Sequence, residues 1–112
     1  MEAKKMKFMH NWNNKLNCDY YTTIRLIQNG NDKYWHKNDI LDVSVKDTFL
    51  HNAEIIDIMK CDLKSIPNYL LLTDSKMNQS QFIEFCSKVY KLTAEQIVNE
   101  VFIVLLIKKL KS

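Results

Sequence analysis

Arg25 stands alone among fifteen lysines, and it closes the run Tyr20-Tyr21-Thr22-Thr23-Ile24-Arg25. In a chain this biased toward lysine, an arginine marks a place where a planar cation with several donors does what a point charge does not. The run alternates as a strand does, so Thr23 and Arg25 share one face while Thr22 and Ile24 take the other. A hydroxyl beside a guanidinium on one face of extended chain can hold an anion or a flat polar ligand. The plainer alternative is a threonine-rich strand whose arginine pairs with a carboxylate such as Asp39 or Asp42.

Other chemistries lack their residues. The chain has one glycine, Gly30. A phosphate-cradling loop needs two and a dinucleotide fingerprint three, and no G-x-S-x-G elbow exists for a nucleophilic serine. His10, His36 and His51 fall at no metal-ligand spacing and have no neighbouring cysteine pair, so neither a metal nor a cofactor is expected. Cys18, Cys61 and Cys86 are odd in number and far apart, the usage of reduced, mostly buried thiols in a cytosolic protein.

The elements that must position Arg25 follow from periodicity. A first strand opens over residues 6–9. A short helix over residues 11–18 turns Trp12 and Leu16 toward the core. The strand Tyr20–Leu26 ends in a turn built on Gly30 and its asparagine neighbours. Strands follow over residues 40–45 and 49–59, the second placing Ala53, Ile55 and Asp57 on one face, with Ile56 and Ile58 on the other. Pro67 marks a helix entry leading into residues 69–72. Phe82, Phe85, Cys86, Val89 and Tyr90 form one helical stripe, capped by Asn78 or Ser80. Thr93 with Gln96 makes a capping-box pattern. The run 101–107 reads as a buried strand, so a short helix or loop followed by a final strand is favoured over one long helix.

At 112 residues, the chain is expected to form a single domain, 1–112, of α+β class, a small mixed barrel or sheet with helices grouped around it. Hydrophobic content of 46% and charged content of 26% argue against wholesale disorder. A net charge of +3 permits nucleic-acid binding without demanding it. No apolar segment follows the N-terminal Met1-Glu2-Ala3-Lys4-Lys5, and the longest apolar run is too short to span a bilayer, so a soluble cytoplasmic protein is expected.

Two segments together resemble a known family. Lys15-Leu16-Asn17-Cys18-Asp19-Tyr20-Tyr21-Thr22-Thr23-Ile24-Arg25 and Tyr34-Trp35-His36-Lys37-Asn38-Asp39-Ile40-Leu41-Asp42-Val43 are similar to the ASCH domains, small PUA-like β-barrels. In that family a helix and a glycine-lysine turn lead to a T-x-R-like strand, and a G-D-containing strand follows. The resemblance implies a cleft between barrel and helices that receives RNA, a nucleobase or a modified nucleoside. Some bacterial members are amidohydrolases of acetylated cytidine that use a lysine, a threonine and a later glutamate. Carried across, Thr23 matches the threonine and Arg25 the strand arginine. Tyr20 stands in place of the lysine, Cys18 in place of the glycine, and Asn38-Asp39 in place of the G-D pair. Asp74 is the carboxylate nearest the glutamate, one residue out of register.

Three readings follow. The first is a PUA-like module that binds RNA, a nucleotide or a nucleoside through Arg25, Thr22 and Thr23, with Tyr20 and Lys37 at the ligand and Tyr21, Tyr34 or Trp35 available for stacking. The second is an amidohydrolase of an acylated cytidine, with Thr23, Lys15 and Asp74 as catalytic candidates and Lys15 replacing the missing lysine. The third is a protein-interaction module of a phage or mobile element.

Overall fold

The computed structural model describes residues 3–8, 11–28 and 30–110. Met9, His10 and Asn29 lie outside the described residues, as does the side chain of Trp12. Five strands form one mixed sheet: β1 (Lys4–Phe8), β2 (Tyr20–Leu26), β3 (Ile40–Val45), β4 (Thr48–Asp62) and β5 (Val101–Lys109). Their order is β1-β3-β4-β5-β2, with β1 and β3 parallel and the other pairs antiparallel. Three helices, α1 (Asn68–Ser75), α2 (Gln79–Tyr90) and α3 (Ala94–Asn99), lie between β4 and β5 in the chain. The architecture is the expected α+β class. No helix among the described residues is long and apolar enough to cross a membrane.

The strand order makes β1 and β2 opposite edges of the sheet. In a flat sheet they would lie roughly 19 Å apart, four interstrand steps. Instead, Arg25 Nη2 of β2 donates a 3.2 Å hydrogen bond to the Lys7 carbonyl of β1. The sheet therefore curls until its edges face each other, but the backbone ladder does not close between them. Where a closed barrel would continue its hydrogen bonds, this protein has a gap spanned by a guanidinium.

Two apolar clusters explain the curl. Inside it pack Met6, Leu41, Val43, Ala53, Ile55 and Leu105, all fully buried. On the outer face, Leu26, Leu71, Phe82, Cys86, Ile97 and Phe102 pack beneath the helices. β5 belongs to both clusters, which is why residues 102–105 are all buried and why that run reads as continuous rather than alternating. The Thr93–Gln96 capping box forms at α3 as expected, and at α2 Asn78, one of the two candidate caps, closes a second box with Gln81.

Three local expectations are corrected. A bulge between Ile55 and Asp57 inserts one residue into β4, so the alternation inverts there. Ile58 packs against the inner cluster with Ile55, and Asp57 is exposed. On α2, Val89 is 54% and Phe85 39% exposed, because only Phe82 and Cys86 point fully under the helix. Cys18 is exposed and Cys61 half-buried, leaving Cys86 as the buried thiol.

Candidate functional site at the edge of the curled sheet

Lys15, Thr22 and Asp74 are delivered by three separate elements. The 3-10 helix Trp12–Asn17 is pinned by Asn11, whose side chain accepts from Leu16 N at 2.9 Å. Leu16 is anchored in the inner cluster, and Lys15 beside it turns toward α1. Asp74 lies in the last turn of α1, which ends at Lys76 in the left-handed conformation. A carboxylate there faces the negative end of the helix dipole, an unfavourable placement worth about 0.3–1 kcal/mol. Lys15 offsets it. Lys15 Nζ donates to Asp74 Oδ1 at 2.8 Å and to the Thr22 carbonyl at 2.9 Å, and Thr22 Oγ1 donates to the same Oδ1 at 3.0 Å. The Thr22 carbonyl is free for this bond because β2 is an edge strand.

Burial governs the electrostatics of this network. Desolvation pulls the Lys15 amine below its ordinary value, the Asp74 carboxylate pulling it back and Arg25 adding to the fall. Desolvation likewise pushes Asp74 upward, against Lys15, Thr22 and Arg25. The two shifts converge, so the neutral amine and neutral acid are both more accessible here than in water.

Arg25 occupies the gap. Its guanidinium lies 5.2 Å from the Phe8 ring centroid and 5.7 Å from that of Trp35, within the range of cation–π attraction. Nη2 makes the bond to Lys7, while the buried Nε has no hydrogen-bond partner among the described residues. The carboxylates expected as partners are engaged elsewhere: Asp39 pairs with Lys4 at 2.6 Å, and Asp42 accepts from Asn52 at 2.5 Å. Trp35, a stacking candidate for a base, lies within cation–π range of Arg25.

Two clefts flank the network. The smaller, about 180 Å³, is walled by Lys7, Phe8, Thr23, Arg25, Asp74 and the aromatic side chains of α2, Phe82, Phe85 and Tyr90. The larger, about 330 Å³, is lined by Cys18, Tyr20, Tyr21, Thr22, Leu70 and Leu106. Lys15 lines both. Of the residues singled out by sequence, Lys15, Thr23, Arg25 and Asp74 thus meet in the smaller cleft. Thr22 and Tyr20 face the larger one. Lys37 is exposed and lines neither. Phe8 and Tyr90 join the site without a sequence signal. The alternation of Met6 and Phe8 shows that Phe8 points inward but not that it meets Arg25. Among the described residues no group of three or more His, Cys, Asp or Glu side chains could hold a metal ion.

No family model matches the sequence, and no curated protein is significantly similar to it. Solved structures are similar in fold. An Enterococcus faecalis protein assigned to the family DUF984 superposes with a TM-score of 0.72 at 6% identity, over 98% of this chain and 82% of that one. An ASCH domain from Lactobacillus crispatus superposes with a TM-score of 0.64 at 11% identity, over 96% of this chain and 79% of that one. Identities this low speak for the fold alone, and they agree with the motif resemblance. The fold of this protein is ASCH-like.

Proposed function

We propose that the protein is a PUA-like binding module whose smaller cleft receives a nucleobase, carried by a nucleoside or by RNA. The observation that carries this reading is the underused guanidinium of Arg25. It offers five donors in a fixed fork, yet Nη2 makes one long bond and Nε makes none to a described residue. A buried unsatisfied donor costs about 1–3 kcal/mol, so an acceptor entering the cleft gains by drawing the guanidinium toward it. Phe8 and Trp35 lie against the guanidinium, whose planar fork suits a flat ligand. A volume of about 180 Å³ is below the roughly 300 Å³ of a drug-sized site. It suits one ring rather than a whole nucleotide. Phe85 and Tyr90 offer ring faces for stacking, and the Thr23 hydroxyl offers a hydrogen bond. Calorimetric titration of nucleosides and short ribonucleotides into wild type and Arg25→Ala tests this. Binding that weakens at least tenfold in the variant is expected, and equal affinities reject the assignment.

One observation favours hydrolysis of an acylated cytidine as a second reading: Lys15 lines the cleft beside Tyr20, the position at which the resembled family carries its lysine. In that scheme the neutral Lys15 amine takes a proton from water attacking the acyl carbonyl and returns it to the departing exocyclic nitrogen. Asp74 stabilises the ammonium formed in between. Chromatography of acetylcytidine incubated with the protein tests it. Cytidine released by wild type and not by Lys15→Met supports the reading, and no turnover by wild type removes it.

A further inference from the structure

We infer that the ligand is single-stranded RNA engaged through two neighbouring nucleotides, one base in the Arg25 cleft and the next in the cleft around Tyr20. This deepens the base-binding reading and rests on it. The two clefts are consecutive stations along the unpaired edge of β2. Tyr20, Tyr21 and Thr22 line one, Thr23, Ile24 and Arg25 line the other, and Lys15 forms the wall they share. A free nucleoside fills one station and leaves its neighbour empty.

The second station has the parts a nucleotide needs. Its volume of about 330 Å³ admits a base with its sugar. Tyr20 is 55% exposed, a large ring on an otherwise half-buried strand. Lys108 of β5 is the register partner of Tyr20, and its ammonium lies 6.0 Å from the ring centroid. An exposed ring flanked by a cation is what base stacking beside a phosphate requires. Spacing decides how the strand is bound. Three steps along the strand, from Tyr20 to Thr23, span roughly 10 Å, against ~3.4 Å between stacked neighbours on one strand. The two bases are therefore splayed apart, each in its own cleft, as in the recognition of unstacked bases in unpaired RNA. Lys15 is offset by Asp74 and Lys7 pairs with Asp47, so the positive charge along this edge rests on Arg25 and Lys108. The surplus of positive charge suits a polyanion.

The test is fluorescence anisotropy with a labelled hexaribonucleotide of mixed sequence, competed with nucleosides and mononucleotides. Wild type, Tyr20→Ala and Lys108→Gln are compared. Both substituted side chains are exposed, and unchanged thermal midpoints confirm that the variants fold. The hexaribonucleotide is expected to bind at least tenfold more tightly than any mononucleotide. Tyr20→Ala should lower that ratio on the order of tenfold. Lys108→Gln should reduce the slope of log affinity against log salt by about 0.7, the loss of one phosphate contact. A mononucleotide that binds as tightly as the hexamer, with the ratio unmoved by Tyr20→Ala, overturns the second station while leaving the base cleft standing. Failure of every ribonucleotide to bind overturns both.

Discussion

Lys15 and Asp74 are fifty-nine residues apart in the chain, yet Nζ and Oδ1 meet at 2.8 Å with both side chains more than nine-tenths buried. The contact ties the 3-10 helix to the end of α1 and forms the wall between the two clefts. A buried ion pair is a poor source of net stability, because desolvating two charges costs about as much as their attraction returns. Its value here is placement: it holds the Lys15 and Asp74 side chains beside Thr23 and Arg25.

Breaking this pair from one side should be far more damaging than removing it whole. Asp74→Ala leaves an uncompensated buried ammonium and is expected to cost about 3–5 kcal/mol. The double variant Lys15→Met, Asp74→Leu should recover most of that loss. Urea unfolding of wild type, Asp74→Ala and the double variant measures both effects, and a double variant no more stable than Asp74→Ala would contradict the ion-pair assignment.

The pair also sets a pH signature. Asp74 titrates above its ordinary 3.8 in the folded protein, so its contribution is greatest at low pH and is lost as pH rises from 3.8 through its folded value. Lys15 titrates below its ordinary 10.5, so its contribution is present above 10.5 and is lost as pH falls through its folded value. Both signs place the largest penalty in the neutral range between the two windows. The stability of wild type relative to the apolar double variant should therefore be lowest near neutrality and should improve toward pH 4 and toward pH 10. Chemical denaturation across that range checks it, and a difference flat with pH would contradict the shifts.

Arg25→Lys is not a conservative change here. Lysine keeps the charge but loses the planar fork that lies near Phe8 and Trp35. Ligand affinity should fall by about 1.5–3 kcal/mol, the usual worth of hydrogen bonds to a charged group. Thermal stability should move by only about 1 kcal/mol. Calorimetry with a hexaribonucleotide, beside a thermal melt, separates the two.

Asn78 controls the helix that carries the aromatic wall. Its side chain accepts from Gln81 N at 2.9 Å, and Gln81 Oε1 accepts from Asn78 N at 3.0 Å. Asn78→Ala removes the first bond and should cost about 1 kcal/mol. A thermal melt measures it, and Asn78→Asp should retain most of the stability.

The parts of this architecture that depend on local pattern are legible in the sequence. β2 and β3 occupy the segments read from alternation, and both capping boxes form where Asn78 and Thr93 precede a glutamine by three residues. What depends on long-range geometry is not. The bulge at Ile55–Asp57 is one extra residue in an isoleucine-rich strand, and no local signal tells it from continued alternation. The curl that sets Arg25 against Lys7 arises from the packing of five strands, so the aromatic partners Phe8 and Trp35 could not be paired with Arg25 in advance. Lys15 was nameable as a candidate from its type. Its contact with Asp74 exists only once α1 has folded against the 3-10 helix.

Because Arg25 is the sole arginine, the protein has a single arginine Nε–Hε resonance, and it reports directly on the site. A ¹H–¹⁵N titration with a hexaribonucleotide should move that resonance together with the backbone amides of Thr23, Arg25 and Ser75, as the guanidinium turns from Lys7 toward the base. An Nε–Hε signal that stays in place at saturating ligand, or shifts confined to residues away from the β2 edge, would contradict the assignment of Arg25 as the ligand-reading residue.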